Sequence, residues 1–172
     1  MVTREFSKMY NEIMFPGDES KLLENDPEFS ELFYNFVFDE VIKQNDLEDR
    51  KRIMAILATL IGCEGIDEFK VMLPVALKLG VTPVEVKEIV YQSVAYLGIG
   101  RIRPFLKVTN DILEKQGVKL PLDNQSTTNK ENRLEKGIQA QVDIFGEGMK
   151  EFYKSGPEES RHINYWLAEN CF

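Results

Sequence analysis

The chain has few of the residues from which metal sites and nucleophilic sites are built. Its 172 residues include one histidine, His162, and two cysteines, Cys63 and Cys171. The cysteines have no CxxC spacing, so the sequence excludes a disulfide framework and a cysteine-based zinc knuckle. A histidine-rich metal site is excluded as well. His162 lies in an amphipathic segment, and we interpret it as a surface or interface residue. We expect no bound metal.

Long apolar runs and an excess of positive charge are also missing. No window approaches the run of about 18 apolar residues that a membrane helix needs, and the N-terminal segment MVTREFSKMYNEI has no apolar signal-peptide core. The net charge is −8, which repels phosphate backbones. We therefore expect a cytoplasmic protein that binds neither membrane nor nucleic acid. No nucleotide-binding, zincin or nucleophile-elbow motif occurs, so no cofactor is expected.

Apolar residues recur at helical spacing in almost every segment, and no segment keeps the alternation of apolar and polar residues that indicates a strand. The sequence predicts an all-α protein. The segment after Pro27 has a broad aromatic face, which we interpret as core or subunit interface. Predicted helices cover residues 4–15 (ending at Pro16-Gly17), a segment from Pro27, 47–62 (capped by Asn45 or Asp46), 67–79, 83–97, 101–116, 130–154 and 158–170.

Local signals divide this helical chain into parts. Thr82-Pro83-Val84-Glu85 is a capping-box sequence with proline at the first helical position. A polar stretch rich in turn residues predicts a linker over residues 121–130. The sequence therefore predicts a helical domain over residues 1–120 and a helical extension over 131–172.

The extension repeats the start of the chain at a shift of 130 residues. Phe15 matches Phe145, and Pro27 matches Pro157, with apolar positions also matching. The extension thus resembles the opening third of a second copy. Such a fragment cannot bury its apolar face alone, so it is expected to dock on the first copy or on a neighbouring subunit. Chance similarity between two amphipathic helices is the alternative.

Residues 26–118 resemble the carboxymuconolactone decarboxylase (AhpD-like) family. The resemblance rests on family motif positions at fixed spacing, which here are Leu47, Arg50, Arg52, Ala76-Leu77, Gly80, Thr82, Glu85, Tyr96 and Gly98. Members of this family are all-α bundles that assemble into trimers or hexamers. The resemblance therefore implies an AhpD-like bundle and self-association as a homotrimer or homohexamer.

The chain departs from the family at the catalytic positions. The peroxidase branch uses a Cys-x-x-Cys-x-x-x-His motif and an upstream glutamate, and the resemblance aligns these with Gly65, Glu68, Met72 and Ile53. All four are replaced. Glu68 fits the decarboxylase branch, but Met72 and Ile53 replace the acid–base pair of that branch too. The resemblance thus implies a degenerate active site.

The polar or reactive residues around this region remain candidate site residues. Glu68 and Cys63 are the candidate catalytic residues, although a carboxylate in a first turn also simply stabilises a helix and an isolated cysteine is usually idle. The candidate pocket residues are Glu64, Met72, Tyr96, Arg101 and Arg103. Met72 has a core-filling alternative. The two arginines would hold a carboxylate ligand or, in the interpretation we prefer, a glutamate of an adjacent subunit.

Three functions follow from these observations as hypotheses. The first is a carboxymuconolactone decarboxylase-like lyase or a pocket for a small organic acid or lactone. The second is a non-catalytic oligomeric scaffold or binding protein, and the third is residual hydroperoxidase activity of the peroxiredoxin type through Cys63. The peroxiredoxin label attaches to the whole family, and inertness of Cys63 is the expectation here.

Overall fold

The structure, a computed structural model, describes residues 4–15, 22–44 and 46–172. These residues form helices and no strand, which confirms the predicted all-α class. The predicted helix end at Pro16-Gly17 and the predicted cap Asn45 lie outside the described residues. None of the described helices is long and apolar enough to cross a membrane. The helices are α1 (Glu5–Met14), α2 (Leu22–Asn25), α3 (Pro27–Asn35, extended by a π-helix over Phe36–Val41), α4 (Asp49–Gly62), α5 (Ile66–Lys78), α6 (Pro83–Leu97), α7 (Ile99–Lys115), α8 (Arg133–Phe145) and α9 (Arg161–Asn170).

The chain divides into two compact units. The first comprises Met1–Ser93 and Leu97–Val118, and the second comprises Val94–Tyr96 and Lys119–Phe172. No helix is present between Gln116 and Asn132, where the linker was predicted. The domain boundaries at residues 120 and 131 stay a prediction, because compactness alone does not show that a unit folds independently.

The core of the first unit lies where α4, α5 and α7 pack together. Apolar residues recur every three or four positions on these helices, so each helix has one apolar stripe, and the stripes face one another. Phe69 on α5 meets Phe105 on α7 edge-on, with ring centroids 5.2 Å apart. The fully buried apolar side chains of the unit include Ile53, Leu57, Ile61, Phe69, Leu73, Ala76, Val86, Val90, Ile102 and Leu113.

The N-terminal part of the first unit contains a buried charge that the sequence analysis did not predict. Asp39 lies in the π-helix, and its side chain is 6% exposed. Lys43 forms an ion pair with it, and Arg4 donates a hydrogen bond of 2.6 Å to its carboxylate. The hydrogen bond from Lys43, followed by that from Arg4, holds the pKa of Asp39 below its usual value. Two cations thus compensate the burial of one carboxylate.

In the second unit, α8 and α9 pack against each other, and their ends differ from those predicted. The predicted helix over residues 130–154 is wrong at its C-terminal end, because Gly146 adopts φ +96° and ends α8 at Phe145. A glycine reaches this left-handed region without steric penalty. The predicted start at residue 158 is also wrong, since residues 158–160 form a turn and α9 begins at Arg161. Pro157 therefore does not open its helix as Pro27 opens α3.

Close backbone contact joins α8 to α9 at Gly137. A Cβ atom built on Gly137 would lie 1.7 Å from the carbonyl oxygen of Ala168, so only glycine allows this approach. The two helices are also joined by an ion pair of 3.3 Å between Arg133 and Glu169. The close packing of α8 against α9 therefore requires that residue 137 has no side chain.

We predict that Gly137→Ala destabilises the second unit. Alanine is favoured over glycine in a helix by about 1 kcal/mol. The added Cβ would, however, clash with the backbone of Ala168, and overpacking of this kind costs about 1–3 kcal/mol or more. We therefore expect a net loss of stability. Denaturant unfolding, followed by the fluorescence of Trp166, measures the change in stability. Trp166 is the single tryptophan of the sequence. Gly148→Ala is the control, because nothing lies within 4 Å of a Cβ there. Equal midpoints for the two variants would contradict the close contact.

Candidate functional site

The residues that carry the family motif form one hydrogen-bonded network in the first unit. Arg50 on α4 donates from Nε to the Gly80 carbonyl oxygen at 3.2 Å, and its Nη2 pairs with the Glu85 carboxylate. The Thr82 hydroxyl accepts from the Glu85 backbone N–H at 3.2 Å, while the Thr82 backbone N–H donates to Glu85 Oε2 at 2.8 Å. The predicted capping box is therefore confirmed. Arg50 ties α4 to the turn that leads into α6.

This network explains why a glycine precedes the capping box. Gly80 has φ +84°, which other residues adopt only with strain. The resulting turn directs the Gly80 carbonyl to Arg50 and lets Thr82 cap α6. We call the group formed by Arg50, Gly80, Thr82 and Glu85 the motif clamp.

The motif clamp strongly favours the ionised form of Glu85. The hydrogen bond from the Thr82 backbone N–H lowers the pKa of Glu85 most, followed by those from Arg50 and the Thr82 hydroxyl, and together they bring it to about 2. Glu85 is thus an acceptor that stays charged at neutral pH. A carboxylate that stays ionised near pH 7 and is held by several hydrogen bonds serves structure and is a poor acid or base at that pH.

The turn between α4 and α5 brings together two of the predicted pocket residues. Glu64 adopts φ +61°, an uncommon conformation for a residue with a side chain. Its carboxylate lies 3.1 Å from Nε of Arg101 at the start of α7. Arg101 therefore has a glutamate partner within its own chain, whereas the sequence analysis favoured a glutamate from an adjacent subunit. Both side chains are more than half exposed, so the pair contributes little to stability.

The candidate catalytic residues Cys63 and Glu68 are both on the surface. Cys63 follows α4 and is exposed, with its Sγ 3.6 Å from the Leu60 carbonyl oxygen. A backbone carbonyl accepts a hydrogen bond but is not a base that activates a thiol. Glu68 is exposed in the first turn of α5, where a carboxylate stabilises the helix N-terminus. Arg103 on α7 is exposed as well.

The positions aligned with the family's acid–base pair are apolar and packed. Ile53 is 1% exposed in the α4–α5 core, and Met72 on α5 is half-buried. A hydrocarbon and a thioether neither donate nor accept a proton at neutral pH. These two side chains therefore fill space where an acid–base pair would have to exchange protons.

Tyr96 belongs to the second unit, whereas the other candidate residues belong to the first. It is 80% exposed and borders a cleft of about 220 Å³. The sequence analysis missed this cleft, although Gln141 gave a signal: it interrupts the apolar stripe of Leu134, Ile138 and Phe145 on α8. The other lining residues are Ala95, Phe145, Met149, Phe152, Leu167, Cys171 and Phe172.

Within the residues that the structure describes, no group of three or more His, Cys, Asp or Glu side chains is placed to hold a metal ion.

The fold and site define an all-helical protein in which an Arg–Gly–Thr–Glu clamp ties α4 to the start of α6. Residues 27–111, 85 of the 172 residues, match the model of the carboxymuconolactone decarboxylase family, so this part of the chain is similar to that family. No curated protein and no solved structure matches the chain. The motif clamp and the positions of Ile53, Glu68 and Met72 all lie within the matched residues.

We predict that Glu85→Gln destabilises the protein in a pH-dependent way. Because the folded pKa of Glu85 lies below the ordinary value of 4.5 at about 2, its ionised form stabilises the fold above about pH 4.5, and this contribution disappears as the pH falls towards 2. The stability difference between wild type and variant should therefore shrink over that window. Unfolding midpoints measured from pH 7 to pH 2 test this.

The matched control for this prediction is Glu88→Gln, an exposed glutamate on the same helix. Its difference from wild type should change less with pH. Parallel curves for Glu85→Gln and Glu88→Gln would show that the motif clamp does not depend on the charge of Glu85.

Proposed function

We propose that the chain is a non-catalytic, self-associating member of the carboxymuconolactone decarboxylase family. The observation that carries the proposal is a row of large apolar side chains on one face of α3 and the first residue of the π-helix that extends it, here called the α3 face. Its members are Phe29, Leu32, Phe33 and Phe36, which are 57%, 67%, 41% and 55% exposed. Contiguous exposed apolar surface of this kind marks interaction sites.

The geometry of the α3 face favours a second copy of the chain as its partner. Positions 29, 32, 33 and 36 follow the helical spacing of three and four, so the side chains share one stripe. Phe29 and Phe33 stack with ring centroids 5.7 Å apart. The stripe contains no charged side chain, and two such stripes related by a two-fold axis bury the same apolar patch on both subunits.

The size of the α3 face agrees with a shared interface. A half-exposed aromatic side chain offers roughly 100 Å² for burial, so the four members offer roughly 400 Å² in total. A standard interface buries about 800 Å² per partner. The α3 face would therefore supply about half of a stable contact, and a surrounding polar rim would supply the rest.

The non-catalytic part of the proposal is supported by the environment of each candidate group. Ile53 is buried, Met72 is apolar, Cys63 has a carbonyl neighbour and Arg101 is engaged by Glu64. Glu85, the carboxylate with the strongly lowered pKa, is fixed in the motif clamp. These features support a protein that keeps the family's frame for assembly.

We predict that Leu32→Glu dissociates the oligomer, because it places a charge at the most exposed position of the α3 face. Sedimentation velocity at micromolar concentration should show an oligomer for the wild type and a smaller species for the variant, with equal helical circular dichroism. Val71→Glu is the matched control, since Val71 is a 48% exposed apolar residue on α5. It should leave the α3-mediated association intact. A monomeric wild type, or equal dissociation by both variants, would refute the proposal.

A further inference from the structure

Helix α9 exposes an apolar stripe in the same way as α3. Ile163 and Trp166 are 49% and 56% exposed, and their spacing of three places them on one side of the helix. At the shift of 130 residues found in the sequence, they are equivalent to Phe33 and Phe36 of the α3 face. The ring of His162 lies against that of Trp166, with centroids 4.7 Å apart. We call His162, Ile163 and Trp166 the α9 face.

The buried sides of the two segments also correspond. Ala168 is fully buried where α9 packs against α8, and its equivalent at the same shift is Phe38, which is 7% exposed. Each of the two segments therefore buries one side within its own unit and leaves the equivalent opposite side exposed. The repeat in the sequence thus extends to the pattern of burial, and the α9 face is a second copy of part of the α3 face.

The α3 face alone supplies about half of a standard interface, so a second surface is needed to complete it. The half-exposed side chains of Ile163 and Trp166 together offer roughly 200 Å² for burial. With them, the apolar area that each copy can contribute rises to roughly 600 Å², against the 800 Å² or so of a standard interface. The α9 face therefore supplies most of the missing area.

The α9 face is a better partner for an α3 face than for another α9 face. The α9 repeat has Glu159 and His162 where the α3 face has Phe29 and Leu32. Two α9 faces in contact would therefore bury few apolar side chains and would bring two Glu159 carboxylates close together. Like charges placed opposite each other oppose association. An α3 face offers the larger apolar surface for Trp166 to cover.

The charges beside the α3 face favour the same pairing. Glu24, Asp26 and Glu28 are exposed at its N-terminal end, and residues 22–42 include no lysine or arginine. Two α3 faces in contact would therefore bring carboxylates of like charge together. The α9 face instead has the imidazole of His162, whose N–H group can donate a hydrogen bond to a carboxylate.

We propose that the α9 face of one copy of the chain packs on the α3 face of a second copy. In an interface formed around a two-fold axis, each contact from one surface to another is repeated in the opposite direction. Each copy therefore contributes both faces, and the contact joins the second unit of one copy to the first unit of the other. The inference rests on the self-association proposed above and names the surface that the α3 face contacts.

The test mixes two variants of the full-length chain that have opposite charges on the two faces. Phe33→Glu and Ile163→Lys each place an unpaired charge in the contact, so sedimentation equilibrium should show at least roughly tenfold weaker association for either variant alone. In the mixed dimer the new carboxylate faces the new ammonium group, and the second contact is that of the wild type. The mixture should therefore associate roughly tenfold more tightly than either variant alone. Equal helical circular dichroism should show that both variants fold.

A mixture of Phe33→Glu with Leu32→Lys is the matched control, because both substitutions lie on the α3 face. Each new charge then faces an unchanged α9 face, so this mixture should gain nothing over its components. Recovery in this mixture and none with Ile163→Lys would show that two α3 faces contact each other. That result would overturn the inference and leave the self-association standing.

Two other outcomes separate the inference from the proposed function. Undiminished association of Ile163→Lys, with Leu32→Glu still dissociating the oligomer, would overturn only the role of the α9 face. A wild type that sediments as a monomer at every concentration would overturn the self-association and the inference together.

Discussion

The first unit depends on the interaction of Arg50 with the turn between α5 and α6. Arg50 contacts both the Gly80 carbonyl and the Glu85 carboxylate. The Glu85 carboxylate also accepts from the Thr82 backbone N–H, while the Thr82 hydroxyl caps α6. One guanidinium therefore fixes α4, the turn and the first residues of α6 at once. Its planar set of donors suits this task, since it can satisfy a carbonyl and a carboxylate together. These are also positions that carry the family motif, so the resemblance to the family is in large part a resemblance of structure.

The motif clamp and the positions that the resemblance aligns with the family's acid–base pair lie in different parts of the first unit. The motif clamp lies at one end of α4, and the acid–base positions lie on the inward faces of α4 and α5. These positions are occupied by Ile53, which is buried, and by Met72, which is half-buried, and neither residue belongs to the clamp. Binding and assembly require a suitable surface and no acid–base groups, so the proposed function is compatible with these side chains.

The sequence correctly predicted the features that are determined by residues close together along the chain. Helices α4 to α7 and the capping box follow from apolar spacing and from Thr82, Pro83 and Glu85, which act within a few residues. The end of α8 was mispredicted because the amphipathic pattern continues past Gly146, and the pattern does not reveal which glycine adopts a positive φ. The contact of Gly137 with Ala168 and the pairing of Glu64 with Arg101 are tertiary, so no local signal fixes them. Most of the candidate site residues were chosen because the sequence resembles the family. The structure shows that Glu64 and Arg101 among them are in contact.

Turnover by the purified chain tests most directly the proposal that this protein is not catalytic. The measurement is hydroperoxide reduction with a thiol reductant, together with loss of 4-carboxymuconolactone, for the wild type, Cys63→Ser and Glu68→Gln. The account predicts rates equal to those without protein and no difference among the three chains. Turnover by the wild type that either substitution abolishes would contradict it.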